Sequence, residues 1–193
     1  MRPGTTAADD IHRSTAELEA GLDHVRHSPS DGGRLELVVR RPAIGEREEL
    51  AAGQLDLAEG LVGDTWSVRP SRASAVGGPH PECQLIVMNS RMAALVAVDP
   101  ARRSLAGDQL FVDLDLSQEN LPPGTRLAIG SAVIEVTARP HTGCDKFVSR
   151  FGRDAMRFVN SPIGRALRLR GLNARVVQGG TVRPGDAVHK VTP

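Results

Sequence analysis

The sequence predicts a mainly β fold, a closed or partly open β-barrel with a few short peripheral helices. Eight short apolar segments, several of them alternating, are separated by turns marked by Gly and Pro. Few other segments have apolar residues at the spacing of an amphipathic helix. The 193 residues are enough for one sizeable core, with 40% hydrophobic residues to build it. Many short strands with few long helices favour a barrel over a doubly wound sheet.

The first predicted element is a helix near the N terminus. Ser14 and Glu17 have the spacing of a capping box, and Leu18, Leu22 and Val25 recur at helical spacing. We therefore predict an N-terminal helical extension over residues 1–30 and a β-barrel domain over residues 31–193. The predicted strands cover residues 34–40, 53–58, 84–88, 108–116, 126–130, 132–138, 172–178 and 186–191, and a flexible loop is predicted over residues 69–82.

A second amphipathic helix is predicted after Cys144. At about 100° per residue, one stripe of this helix is basic and the opposite stripe is apolar. The basic stripe contains Lys146, Arg150, Arg153 and Arg157, and the apolar one contains Phe147, Val148, Phe151, Ala155, Phe158 and Val159. Extrapolated backwards, Cys144 aligns with the apolar stripe, so its thiol is expected to point inward. The basic stripe is interpreted as a solvated face, above all at Arg153 and Arg157.

The composition argues against several classes of partner. One Trp, four Phe and no Tyr are too few aromatic residues for a base-stacking surface, so we expect no nucleic-acid partner. No apolar run resembles a signal peptide or a membrane span, so we expect a cytoplasmic protein without a membrane partner. Cys83 and Cys144 alone make neither a disulfide framework nor a four-thiolate zinc site, so both are expected to be free thiols.

Positive charge is concentrated at the C-terminal end, although the net charge is only +1. Residues 141–193 contain ten Lys and Arg but three Asp and Glu. A basic segment of this kind favours an anionic partner. Because no nucleic-acid recognition motif accompanies it, a small phosphorylated ligand is the better candidate.

Cys144 lies in this basic segment, at the predicted start of the helix. Unpaired backbone N–H groups, His141 and Lys146 there favour a thiolate, which nucleophilic attack and soft-metal ligation both require. A free cysteine is nevertheless more often a small core hydrophobe. From the residues alone, Cys144 can be packing material, a metal ligand or a nucleophile, and Cys83 is interpreted as structural.

The order of several motifs is characteristic of one family. The segments "EGLVGDTW" (59–66), "ARPHTGCDKFVSRFG" (138–152) and "LRGLNARVVQGGTVRPGDAV" (169–188) place Gly63-Asp64, "HTGC", "RG" and "GD" in sequence. From about Arg34 to Val191 the chain resembles a MOSC domain, the module named after the C-terminal domain of molybdenum cofactor sulfurases. It is most similar to small stand-alone members of bacterial type.

The resemblance implies a β-barrel of MOSC type and a molybdenum cofactor of molybdopterin type. It makes Cys144 the family's characteristic cysteine, which carries sulfur as a persulfide or ligates molybdenum, and His141 is a second catalytic candidate. Residues expected to bind the cofactor are Arg170, Lys146, Arg150, Thr142 and Asp64. Arg170 is the preferred anchor for the pterin phosphate, because a guanidinium group offers two parallel hydrogen bonds.

Three functions remain open at this point. Cys144 could ligate molybdenum in an oxidoreductase, or carry a persulfide without a metal for metal–sulfur cluster assembly, or, weakly, act with His141 as a cysteine hydrolase. The sequence shows neither the aminotransferase-like domain that binds pyridoxal phosphate in full-length sulfurases nor an iron–sulfur cysteine cluster. We therefore expect an external sulfur donor or electron-transfer protein as partner.

Overall fold

The computed structural model describes residues 11–70 and 77–191, so residues 71–76 of the predicted loop 69–82 lie outside the described residues. The α-helices are α1 (Thr15–Arg26), α2 (Ser90–Ala97), α3 (Asp145–Asn160) and α4 (Pro162–Ala166), with short 3₁₀ helices at Pro81–Cys83 and Pro100–Ala106. The strands are β1 (Gly33–Arg40), β2 (Glu48–Glu49), β3 (Gly53–Asp56), β4 (Gly60–Leu61), β5 (Leu85–Asn89), β6 (Leu110–Asp113), β7 (Arg126–Ile129), β8 (Ala132–Val136), β9 (Leu172–Gln178), β10 (Gly180–Val182) and β11 (Ala187–Lys190).

Seven strands close into a mixed β-barrel. Their order around the ring is β1, β11, β7, β8, β9, β5 and β6, and β6 pairs again with β1. The β5–β6 pair is parallel, and the other six pairs are antiparallel. Strand β2 extends from β1, while β10, β3 and β4 form a small separate sheet. The predicted mainly β barrel is confirmed.

Two apolar clusters hold this architecture together. The first fills the barrel with inward-facing residues, among them Leu35, Leu110 and Ile134. The second lies outside the barrel, where α1, α2 and α3 cover it, and includes Leu18 and Phe147. Since α1 packs within this second cluster, it is joined to the barrel. The division into a helical extension over 1–30 and a barrel domain over 31–193 stays a prediction.

The local structure differs from the expectation in several elements. The strand predicted over 108–116 covers only Leu110–Asp113, and the fully buried polar residues Asp108 and Gln109 precede it. Helix α2 and the two- or three-residue strands β2, β4 and β10 were not predicted. Helix α3 is interrupted at Gly152, whose φ of 85° and ψ of 169° are not helical. No helix in the described parts of the chain is long and apolar enough to cross a membrane.

Candidate functional site

Cys144 is the N-cap residue of α3, and its side chain is exposed. The prediction of an inward-facing thiol is therefore wrong. With φ −133° and ψ 176°, Cys144 is extended, so the helical stripe cannot be extrapolated back to it. Phe147, the first buried residue of α3, donates its backbone N–H to the Cys144 carbonyl at 2.8 Å. This backbone contact starts the helix at Cys144.

The Cys144 side chain lies at a basic cleft of about 150 Å³. Its lining comes from the segments that follow β1 and β4, from β5, from the segment before β6, from the residues at the start of α3, and from the segment before β9. The cleft is lined by six basic side chains, Arg41, Arg47, Arg69, Lys146, Arg150 and Arg170, and also by His141 and Phe147. Lys146 and Arg150 therefore line the site, whereas Arg153 and Arg157 are exposed on the outer face of α3.

One wall of the cleft is fixed by a buried ion pair between Arg41 and Asp64. Arg41 donates from Nε and Nη2 to the two carboxylate oxygens at 2.8 and 2.7 Å, and from Nη1 to the Gly107 carbonyl at 3.1 Å. The Asp64 carboxylate also accepts the backbone N–H groups of Arg41 and Trp66. The Asp64 side chain is 0% exposed, so it positions Arg41 and does not itself line the cleft.

A second buried ion pair joins Arg170 to Asp108 at the base of the cleft. Arg170 Nη1 lies 2.8 Å from both carboxylate oxygens, and Nη2 donates to the Ala106 carbonyl at 2.9 Å. The guanidinium group also lies over the Phe147 ring, 4.9 Å from its centroid. Most of the Arg170 hydrogen-bond donors, which are expected to hold a phosphate, are thus engaged within the protein. Only the buried Nε lacks a partner among the described residues.

Four cations of the cleft remain uncompensated. Among the described residues, no carboxylate lies within ion-pair distance of Arg47, Arg69, Lys146 or Arg150. Burial, followed by repulsion from Arg150 and Arg41, lowers the pKa of Arg47 to about 10. Like charges held this close favour an anionic ligand between them.

Gly107 shows how tightly the cations surround the cleft. A Cβ at this position would lie 3.2 Å from Arg47 Nη2 and 3.4 Å from Arg150 Nη1. The residue also has a φ of 89°, which favours glycine. The missing side chain therefore leaves a small cradle between two guanidinium groups.

His141 stands at the cleft in its neutral form. Burial and the nearby Arg170 lower the pKa of His141, and they outweigh the opposing effect of Asp108. Its Nε2 lies 3.6 Å from an Asp108 oxygen, beyond hydrogen-bond length, and has no hydrogen-bond partner among the described residues. Burial by itself acts to raise the pKa of Asp108, but Arg170 and His141 hold that pKa below its usual value.

The lowered pKa of His141 predicts acid sensitivity of the fold. In the unfolded chain this histidine gains a proton below pH about 6.5, whereas the folded protein binds it only at lower pH. The free energy of unfolding should therefore fall on acidification from pH 7 to 5, with a His141 contribution of at most about 1.4 kcal/mol per pH unit. Urea titrations should show a shallower loss in His141→Gln. An unchanged slope in that variant would contradict the assignment.

Thr142 is not brought to the basic cleft. It is exposed and lines a separate groove of about 540 Å³ that shares only His141 with the cleft. In residues 11–70 and 77–191, no three or more His, Cys, Asp or Glu side chains are grouped so that they could hold a metal ion. Within the cleft itself, Cys144 is the soft ligand.

The two cysteines differ in a way that predicts their reactivity. Burial is the main cause that raises the pKa of the half-buried Cys83, while the Cys144 thiol is exposed. We expect Cys144 to react with iodoacetamide several-fold faster than Cys83 at neutral pH, because the thiolate is the reacting species. Peptide mass spectrometry after timed alkylation measures both rates. Equal rates, or faster labelling of Cys83, would remove the case for a reactive Cys144.

A family model for the MOSC domain matches residues 88–189, which include Asp108, His141, Cys144 and Arg170. The chain belongs to the MOSC domain family. Its fold is also similar to that of the YuaD protein from Bacillus subtilis, with a TM-score of 0.57 and 18% identity over 83% of this chain and 97% of that one. YiiM from Escherichia coli gives a TM-score of 0.52 and 20% identity over 83% and 70%. No curated protein matches the sequence.

Several residues of the MOSC domain cleft were missed in the sequence. Arg41, Arg47 and Arg69 belong to the N-terminal part of the chain, outside the basic segment 141–193. Asp108 was placed inside a strand. Its signal was the preceding glycine, since Gly107-Asp108 repeats the Gly63-Asp64 pattern. Both aspartates prove to be buried partners of cleft arginines.

Proposed function

We propose that this MOSC domain binds a molybdenum cofactor of molybdopterin type in the basic cleft, with Cys144 as the protein ligand to the metal. An external partner would complete an oxidoreductase or sulfur-transfer reaction. The observation that carries the proposal is an exposed thiol at a cleft where four cationic side chains lack a carboxylate partner among the described residues.

The residues present fit both ends of such a cofactor. The pterin phosphate needs convergent donors, and Arg47 and Arg150 flank the cradle at Gly107. The buried Nε of Arg47 has no hydrogen-bond partner within the described part of the chain, so a donor is available there. A cysteine thiolate is a soft ligand suited to the metal. When bound, the cofactor supplies two-electron redox chemistry or sulfur transfer.

The chain's own residues prepare the cleft for this chemistry. The ion pair with Asp64 and the bond to Gly107 hold Arg41 in a single orientation, so its charge costs little reorganisation when an anion enters. His141, neutral at pH 7 and with an unpartnered Nε2, can accept a proton there. The nearby Asp108 carboxylate stabilises the imidazolium that results.

Persulfide transfer is the second candidate, and the exposure of Cys144 favours it. A sulfane sulfur on an exposed thiol is accessible to a partner protein without any opening of the fold. The hydrolase alternative has less support. An activated cysteine nucleophile requires a hydrogen bond to its base. In the described structure His141 makes no hydrogen bond to the Cys144 sulfur.

Replacing single cations of the basic cleft by neutral residues tests the cofactor proposal. Arg150→Gln and Lys146→Gln should each weaken cofactor retention by about tenfold or more, because each removes a charge-assisted hydrogen bond from the phosphate site. Retention is measured as oxidised pterin fluorescence per folded chain after gel filtration. Arg153→Gln is the matched control, since Arg153 is an exposed arginine of the same helix that does not line the cleft. Equal losses in Arg153→Gln and Arg150→Gln would contradict binding in the cleft.

A further inference from the structure

A second cavity of about 320 Å³ adjoins the basic cleft. The two share Arg41, Arg69 and Ile86 as a common wall. The rest of the second cavity has a different character, because rings and apolar groups dominate it. These side chains are Trp66, Pro70, Pro79, His80 and Cys83.

Trp66 gives this cavity an aromatic wall that is held in place. Its indole Nε1 donates to the His80 carbonyl at 3.3 Å, and its backbone N–H donates to the Asp64 carboxylate at 2.9 Å. The His80 ring is fixed in turn, since its Nδ1 accepts the Glu82 backbone N–H at 3.2 Å. A tryptophan whose polar edge is already bonded offers only its apolar surface to a ligand.

Cys83 contributes an inert part of the wall. Because burial raises the pKa of its thiol, Cys83 stays protonated at neutral pH and behaves as a small apolar side chain. The cavity therefore presents rings and apolar groups on one side and the positive charges of the shared wall on the other.

Arg69 is the cation best placed to meet an anion at the shared wall. Arg41 already has Asp64 as its partner. Arg69 is exposed, and no carboxylate within the described ranges forms an ion pair with it. A ligand with its ring at Trp66 and its charge at Arg69 spans from the apolar cavity to the edge of the Cys144 cleft.

We propose that this cavity binds a small planar aromatic anion, with its ring against Trp66 and its anionic group on Arg69. The volume is at the lower end for small-molecule sites, which suits one or two rings. The ligand's edge then faces the cleft that contains Cys144. That such a compound is the substrate acted on there rests on the proposed function, whereas the binding itself does not.

Benzoate and cyclohexanecarboxylate are the matched probes, since they carry the same charge and only benzoate is flat and aromatic. Ligand-observed NMR titration of the full chain should give a Kd for benzoate about threefold or more below that for cyclohexanecarboxylate. Trp66 is the only tryptophan and there is no tyrosine, so intrinsic fluorescence reports on this cavity directly. Benzoate should change that fluorescence with the same Kd. Equal affinities, or saturation without a fluorescence change, would overturn the proposal.

Four variants locate the site and separate it from the cofactor. Arg69→Gln should weaken benzoate binding by about tenfold or more, and Trp66→Leu should abolish the preference for the aromatic acid. Arg153→Gln should leave both unchanged. Cys144→Ser should bind benzoate like the wild type, so cofactor that is retained in Cys144→Ser, with benzoate binding intact, defeats only the proposed function. Benzoate binding that is insensitive to Arg69→Gln and Trp66→Leu defeats only this inference.

Discussion

Asp108→Asn is expected to lower the free energy of unfolding by about 3–5 kcal/mol, the usual cost of leaving one member of a buried ion pair without its partner. The Asp108 and Arg170 side chains are only 0% and 6% exposed. Asparagine keeps the shape of the side chain but removes its charge. Arg170 is then buried without a counterion, and it also contributes repulsion toward His141.

Urea unfolding of the wild type and the variant measures this loss. Glu48→Gln is the control, because it removes the same charge from an arginine pair at the surface, where Arg40 and Glu48 are 31% and 46% exposed. That pair should contribute less than about 1 kcal/mol. Similar losses in the two variants would show that the buried pair has no special role. The same reasoning makes charge reversal at Arg170 a test of folding rather than of ligand binding.

Cys144→Ser is expected to abolish molybdenum retention while changing the free energy of unfolding by less than about 0.5 kcal/mol. The thiol is exposed and makes no capping hydrogen bond to α3, so the fold does not depend on it. Serine offers a hard oxygen where the metal needs a soft thiolate. Molybdenum per folded chain, measured by mass spectrometry of the metal, is the readout.

Cys83→Ser is the matched control for this substitution. Cys83 lines the adjoining cavity and not the basic cleft, so the variant should keep its molybdenum. Retention of molybdenum in Cys144→Ser, or its loss in Cys83→Ser alone, would contradict the assignment of the ligand.

The barrel was predictable because its strands carry local signals. Strand β9 was predicted with the observed bounds, Leu172–Gln178, and β1 to within one residue. Strands β2 and β4 contain two residues each, too few for any alternation to be recognised. Their pairing is decided by neighbours that lie elsewhere in the sequence.

Gly-Asp pairs show why the site was only partly predictable. Three such pairs look alike in the sequence. Asp64 binds Arg41, 23 positions away, and Asp108 binds Arg170, 62 positions away. Asp186 only accepts the nearby Arg183 backbone N–H in a turn. Local patterns predict the turn, whereas the closed barrel determines which carboxylates are buried beside arginines.

The predicted orientation of the Cys144 side chain was wrong for a related reason. A helical stripe describes residues with helical dihedrals, and an N-cap residue has none. Where the helix begins therefore decides whether the thiol packs inside or faces the cleft. The family pattern nevertheless singles out the cysteine that lines the basic cleft.

Elemental analysis of the full wild-type chain, purified from cells that make molybdopterin, tests the central claim most directly. Molybdenum, phosphorus and cyanide-labile sulfur are measured on the same sample and compared with Cys144→Ser. Cofactor binding predicts stoichiometric molybdenum with matching phosphorus, both strongly reduced in the variant. Metal-free wild-type protein that carries labile sulfur on Cys144 would contradict the claim and establish the persulfide carrier instead.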